Sequence, residues 1–377
     1  MTCVSKGLIV GGGIAGLAAA IALQRCGVQC HVVDLDMKPI GAGIGFAGRA
    51  PQALEELGIY DEVYATGKPF TDKMKAPVTR DQSGAVIGSP PSSQEFPGAK
   101  PPVGVHRPVF SEILLRKARA MGARVDNKVS ITSIAENQSS VAVTFTNGEV
   151  GSYDFLIGAD GINSRVRSLV FPDAPEPEYA GQMSIRWLAP FPAIPEEDWY
   201  SAGRCGKVAI HNMPLYDHIY VPMVFNMPDA KLSQDQCYEV VDQLLSQFTA
   251  PAIVELRKRL MPDSELIPRP FKWLLLDSPW HRGRVLLIGD AAHATTAHMG
   301  MGGGMALEDA VVLAQCIGSA STLEEAFGDF MKRRFERVRV VVETSVALSK
   351  IEQTGVPPGE DSRTLMAAGM AALSSPY

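Results

Sequence analysis

Gly11, Gly13 and Gly16 stand between a short apolar run, Gly7 to Gly11, and an alanine-rich segment, Leu17 to Leu23. A buried parallel strand, a tight turn and a helix are predicted in that order. Ile14 and Ala15 complete the turn, at the first helical residues. Glycines there let a pyrophosphate approach the helix N-terminus, where free N–H groups and the helix dipole favour negative charge. A second strand, Gln29 to Asp34, ends in a carboxylate roughly 20 residues further on, where a βαβ unit places the acid that holds a ribose. The chemistry in view is dinucleotide binding.

Two more acidic turns follow apolar runs. Phe155 to Gly158 delivers Asp160-Gly161, and Arg284 to Ile288 delivers Gly289-Asp290. Each motif alone is weak. In this order, the three specify FAD and point to flavin-dependent oxygenation.

A chain of 377 residues suffices for two domains with a large core. Its net charge of −6 argues against nucleic acid or an anionic membrane as partner. No apolar run approaches the roughly 20 residues of a membrane span. The first strand starts so early that a signal peptide is not expected. Six cysteines lack metal-ligand spacing and read as free thiols in a reducing cytoplasm.

Helices are predicted from Pro51 to Gly58, from Arg107 to Met121, from Ser233 (as N-cap) to Phe248, and from Pro251 to Leu260. Half-buried strands alternate over 130–134, 141–145 and 149–153, with Asn147-Gly148 as a hairpin turn. Aromatic residues and strand-like runs gather over 179–275, a sheet suited to lie over a cofactor. A long helix from Ser321 to about Gln353 follows, with Ser321 and Glu324 at capping-box spacing. Its arginine-rich stretch, Lys332 to Arg337, reads as a solvated face. The predicted fold is α/β. Residues 1–75, 100–178 and 277–377 form a discontinuous Rossmann-type FAD-binding domain that carries the long C-terminal helix. Residues 76–99 and 179–276 form an inserted, sheet-based substrate domain.

In these segments the chain resembles the group A flavin monooxygenases, the family of para-hydroxybenzoate hydroxylase, and most closely its salicylate hydroxylase-like branch. The resemblance rests on Leu8 to Gly16, Gly41 to Ile44, His106-Arg107, Leu156 to Arg167, Arg284 to His293 and Gly302 to Ala310. It implies that Asp34 binds the adenosine ribose and that Arg107 contacts the ribityl and phosphate region. Gly43 and Ile44 would line the flavin. Asp160-Gly161 would serve both FAD and the passing nicotinamide cofactor, with Arg165 and Arg167 as nearby anion contacts. Asp290 would hold the ribityl chain, and Gly302, Gly303 and Gly304 would offer N–H groups to the flavin pyrimidine. The implied reaction consumes NADPH or NADH and O₂. It hydroxylates a small aromatic or heteroaromatic ring through a flavin C4a-hydroperoxide, in a monomer or homodimer.

Ala297 departs from the proline usual in that family, and Met301 replaces a commoner polar residue. Arg49 either binds a carboxylate or phenolate of the substrate, or lies on the surface in a salt bridge. His293 and His298 lack a third metal ligand, and no metal is expected. No catalytic base is assigned. His211, His218 and Tyr216 are candidates for substrate deprotonation, against a plain reading as strand residues. Tyr220, Arg186 and Gln182 are candidate lining residues. Two alternatives stay open: a flavin oxidoreductase of the same fold that does not hydroxylate, such as a reductase or halogenase, and a non-catalytic flavin-binding module.

Overall fold

Lys6–Val10 runs through the middle of a six-stranded sheet, with Leu8 and Ile9 fully buried. The computed structural model describes residues 3–37, 41, 43–69, 78–88, 96, 98–191, 197–213, 218–356 and 359–377. The sheet order is His281–Arg282, Val285–Leu287, Phe155–Gly158, Lys6–Val10, Gln29–Asp34 and Arg124–Asn127. Only the His281–Arg282 edge is antiparallel. The carboxyl ends of the central parallel strands therefore share one edge, and each of the three acidic motifs leaves from it. In open α/β sheets that edge is where ligands bind.

The first helix, Ile14–Arg25, is buried on nearly all sides and packs against Gly302–Ser319. Its alanines allow the close approach. The long helix spans Leu323–Gln353. Its N-cap is Thr322, whose hydroxyl accepts from the Glu325 N–H, while the Glu325 carboxylate accepts from the Ser321 N–H. The capping box expected at Ser321 and Glu324 is thus displaced by one residue, because the extended backbone persists through Thr322. Ser233 caps Gln234–Leu245 as expected, reciprocated by Gln236.

A second sheet is built on the antiparallel strands Glu178–Ala189, His218–Asn226 and Leu266–Trp273, extended by Lys207–Ala209, Trp199–Ser201, Thr79–Arg80 and Val86–Gly88. Strand alternation sorts its two faces. Met183, Ile185 and Trp187 enter a separate hydrophobic core with Val241 and Leu244 of Gln234–Leu245. Gln182, Ser184 and Arg186 point the other way, into a cavity. Among the described residues no helix is long and apolar enough to cross a membrane.

The chain continues past the long helix into a further helix, Glu360–Ala372, for which the sequence analysis made no provision. Arginines hold the end of the chain by its carbonyls. Arg337 donates to Leu373 and Ser375, Arg333 to Tyr377, and Arg49 to Ser374. Arg49 is buried in that role, so neither reading offered for it above describes where it lies.

Candidate functional site: a dinucleotide crevice and an aromatic cavity

The glycine turn divides its labour by position. Gly11 has φ +113°, and a Cβ there would overlap the Ala159 carbonyl. A Cβ at Gly16 would overlap the Gly11 carbonyl, so the third glycine lets helix and strand close on each other. Gly13, the N-cap of Ile14–Arg25, has nothing within 4 Å of a Cβ position and no side chain capping the helix. The space in front of Gly13 at that first turn is clear of protein atoms, as a pyrophosphate requires. Asp34, at the end of Gln29–Asp34, accepts the Gly12 N–H at 2.5 Å and the Asp36 N–H at 2.7 Å. A carboxylate has about four acceptor sites, so capacity remains for ribose hydroxyls.

Asp290 opens the short helix Asp290–His293 beyond the neighbouring strand. Its carboxyl is solvent-accessible yet ringed by protein; burial pushes its pKa up, opposed by His293 and Arg107. The Arg107 guanidinium is pushed down by burial and by Arg186 and supported by Asp290. Gly43 and Ile44 pair with His106 and Val105, which brings that segment beside Arg107. Gly302–Ser319 likewise starts without a side-chain cap. A Cβ at Gly303 would crowd Ile44, so these glycines also set the packing of the helix. The two uncapped helix starts, the clear space at Gly13 and the free acceptor capacity of Asp34 and Asp290 fit FAD. Asp290→Ala should cost about 1.5–3 kcal/mol of FAD affinity through loss of a charge-assisted hydrogen bond. Titration of apoprotein with FAD measures this; an unchanged affinity would remove Asp290 from the site.

Asp160 has a local occupation the sequence did not announce. It accepts the Ser164 hydroxyl at 2.5 Å and the N–H groups of Arg165 and Val166, so it caps the start of Arg165–Val170. Burial raises its pKa despite those bonds. Arg167 is buried and donates to the carbonyls of Ala291 and Ile162. It therefore anchors the Asp290 turn and does not present its guanidinium to an anion. Arg165 is exposed and donates to the Thr132 carbonyl at 3.5 Å.

Beneath the Asp290 turn lies a fully buried ionic cluster. Asp309 accepts from His293 Nε2 at 2.6 Å, the Gly289 N–H at 2.9 Å and Arg334 Nε at 2.8 Å. Glu308 accepts from Arg334 and Arg337. His293 is thus a structural partner of Asp309.

The cavity, about 510 Å³, lies between the second sheet and the end of the long helix, within the usual range for small-molecule sites. Arg186, Gln182, Tyr220 and His211 all line it. His218 lies off the cavity wall, with a buried Nδ1 that has no hydrogen-bond partner among the described residues. Tyr216 lies outside the described residues. The Tyr220 hydroxyl is pushed up by burial and drawn down by Arg186 and Arg107. His211 packs between Trp199 and Tyr220, at 5.9 Å from each ring. Sequence reasoning missed Lys207, Phe271, Glu352 and Met366 on the wall. Glu352 comes from a helix end and Met366 from the last helix, where no local pattern marks a cavity.

Residues 5–326 match the FAD binding domain family. An FAD-dependent urate hydroxylase of Klebsiella oxytoca is 31% identical, covering 89% of this chain and 88% of its own. The 2-heptyl-3-hydroxy-4(1H)-quinolone synthase of Pseudomonas aeruginosa is 29% identical over 93% and 90% of the two chains. Klebsiella pneumoniae HpxO, solved with FAD and uric acid, superposes with a TM-score of 0.79 at 27% identity, covering 98% of this chain and 92% of that one.

Proposed function

Since the chain belongs to the FAD binding domain family, we propose that it is an FAD-dependent, NAD(P)H-consuming monooxygenase that hydroxylates a small aromatic or heteroaromatic ring in the cavity. The observation that carries this reading is that Gly13, Asp34, Asp160 and Asp290 all lie at or just past the carboxyl ends of neighbouring parallel strands, in a chain that also carries an aromatic-lined cavity. Urate and quinolone relatives of similar length support a heteroaromatic substrate.

When bound, FAD supplies hydride acceptance and activation of O₂, so that one oxygen atom enters the ring and the other leaves as water. The residues that would hold it are Gly11, Gly13, Ile14, Ala15 and Gly16 at the pyrophosphate, Asp34 at the ribose, and Arg107 and Asp290 at the ribityl chain. Gly43, Ile44 and the start of Gly302–Ser319, with Gly302, Gly303 and Gly304, would hold the ring system. Oriented N–H groups at that helix start stabilise negative charge on the pyrimidine side. Asp160 and Gly161 would act from the neighbouring turn, Asp160 through the geometry it fixes. Trp199, Tyr220 and Phe271 keep bulk water from the ring. The reading keeps two domains, with residues 76–99 and 179–276 as the substrate domain; a second core from Met183 to Leu266 supports it, while Phe96, Leu274 and Leu276 pack with the first core. A cytoplasmic monomer or homodimer without a nucleic-acid partner completes the reading, supported by the acidic balance.

NAD(P)H oxidation should be slow alone and rise roughly tenfold or more with the right ring compound. A substrate produces such an effect only by differential affinity for the reducible arrangement of the site. Stopped-flow reduction with and without substrate checks this. An unchanged reduction rate with a compound that is turned over would remove the gating but leave hydroxylation standing.

A further inference from the structure

His298 sits in the loop that enters Gly302–Ser319, and its side chain is 5% exposed. Its Nδ1 meets the Thr296 hydroxyl at 3.0 Å, and the Phe271 ring stands edge-on to it. Nε2 is buried without a hydrogen-bond partner among the described residues. Glu352 Oε1 lies 3.6 Å away, too far for a hydrogen bond. Both residues are on the cavity wall.

Glu352 is held firmly. Its Oε1 accepts from Gln182 Nε2 at 3.0 Å, and its Oε2 pairs with Lys207. Gln182 is buried and fixed in turn by Ser349 and Asn226. Lys207 lies 4.5 Å over the Trp199 ring. Burial would raise the Glu352 carboxyl, but Lys207 and His298 outweigh it and keep the group ionised. Two of roughly four acceptor sites on this carboxylate are used in hydrogen bonds, and His298 Nε2 stands beside the others at ion-pair distance without a hydrogen bond. A buried polar group left unpaired is costly. A ligand that brings a donor to Glu352 and a polar partner to His298 Nε2 completes the corner.

We propose that Glu352 and His298 form a recognition subsite for the N–H edge of a nitrogen heteroaromatic ring. Glu352 Oε1 accepts the ring N–H, and His298 Nε2 pairs with the adjacent polar atom of the ring. Because Glu352 neutralises Lys207, this corner disfavours the carboxylate of a benzoate-type substrate. Arg186, the other cation on the strand wall, faces Arg107 and Tyr220. Arg363 is exposed on the last helix. The subsite rests on the reading of the cavity as the substrate site of a flavoenzyme.

The test titrates FAD-loaded protein, without NAD(P)H, and follows the flavin absorbance. The probes are 2-pyridone, 2(1H)-quinolone, their N-methyl counterparts, and salicylate. At least one N–H ring should bind roughly tenfold more tightly than its N-methyl form. Glu352→Gln should shrink that ratio, because a neutral amide oxygen accepts more weakly than a carboxylate, and should strengthen salicylate binding, a gain that damage to the fold would not produce. His298→Phe should weaken the N–H ring more than salicylate. Should Glu352→Gln lose FAD, Lys207→Met reads the same charge. It frees Glu352, so salicylate should bind more weakly while the N–H preference persists. Equal affinities for N–H and N-methyl forms, an unaltered ratio in Glu352→Gln, or no response to any N–H ring would overturn the subsite. Failure of the wild-type protein to take up FAD would instead overturn the proposed function.

Discussion

Gly13→Val is expected to leave the protein folded and colourless. The native backbone at Gly13 is extended, with φ −80° and ψ −165°, so a branched residue adopts it without strain. A Cβ there meets no protein atom within 4 Å. The added methyl groups would instead occupy the space before the uncapped first turn of Ile14–Arg25, where the pyrophosphate belongs. FAD affinity should fall by roughly a hundredfold or more, about 2.7 kcal/mol. Gly16→Val makes the opposite case. Its side chain would run into the Gly11 carbonyl and the Ile9 side chain, so the fold itself should fail. Gly12→Ala should be milder in both respects, since its nearest contact is the far end of the Met37 side chain at 2.8 Å, with Asp34 Cβ next at 3.2 Å. FAD content per chain and thermal unfolding, measured on all three variants, separate these outcomes. Equal, mild losses at Gly12 and Gly13 would show that the glycine turn does not hold a pyrophosphate.

The contrast between these glycines also shows which parts of the site sequence could reveal. A phosphate cradle is contiguous: strand, turn, helix and acid follow within one βαβ unit, and each has a local signature. Gly11, Gly13, Gly16 and Asp34 were therefore legible, as were the apolar runs that become the parallel sheet. Arg186 and Gln182, named as candidate lining residues, stand on the cavity wall. Sequence says less where a side chain serves its own neighbourhood. Asp160 caps the helix after it, and Arg167 binds two carbonyls. Arg49 is taken up by a carbonyl more than three hundred positions along the chain. The polar corner of the cavity was illegible for a different reason. Gln182, Lys207, His298 and Glu352 come from two strands, a loop and a helix end, and only the tertiary fold brings them together.

Arg334→Met should be the most damaging change in the buried cluster. Arg334 is fully buried, with Nε on Asp309 at 2.8 Å and Nη1 on Glu308 at 2.6 Å. Its removal leaves Glu308 to Arg337 and Asp309 to His293, inside a core that solvates neither carboxylate. Breaking a buried ion pair from one side typically costs about 3–5 kcal/mol, because an uncompensated charge remains. The damage has a pH signature. Burial raises the Asp309 carboxyl, but His293 and Arg334 outweigh it and hold the native pKa below the ordinary value of about 3.9. In the wild type, that contribution to stability is complete above pH 4 and is lost as pH falls through the native pKa. In the variant the balance tips towards burial, and the acidic pair gains protons more readily on acidification. The stability deficit should then be largest near pH 7 and shrink towards pH 5, as protonation removes the unpaired charge. Because the Gly289 N–H and His293 both hang on Asp309, the Asp290 turn should loosen and FAD retention should fall with stability. Denaturant unfolding of both proteins at pH 7 and pH 5 decides the point. A deficit below about 1 kcal/mol, or one independent of pH, would mean that the cluster is not held together by charge.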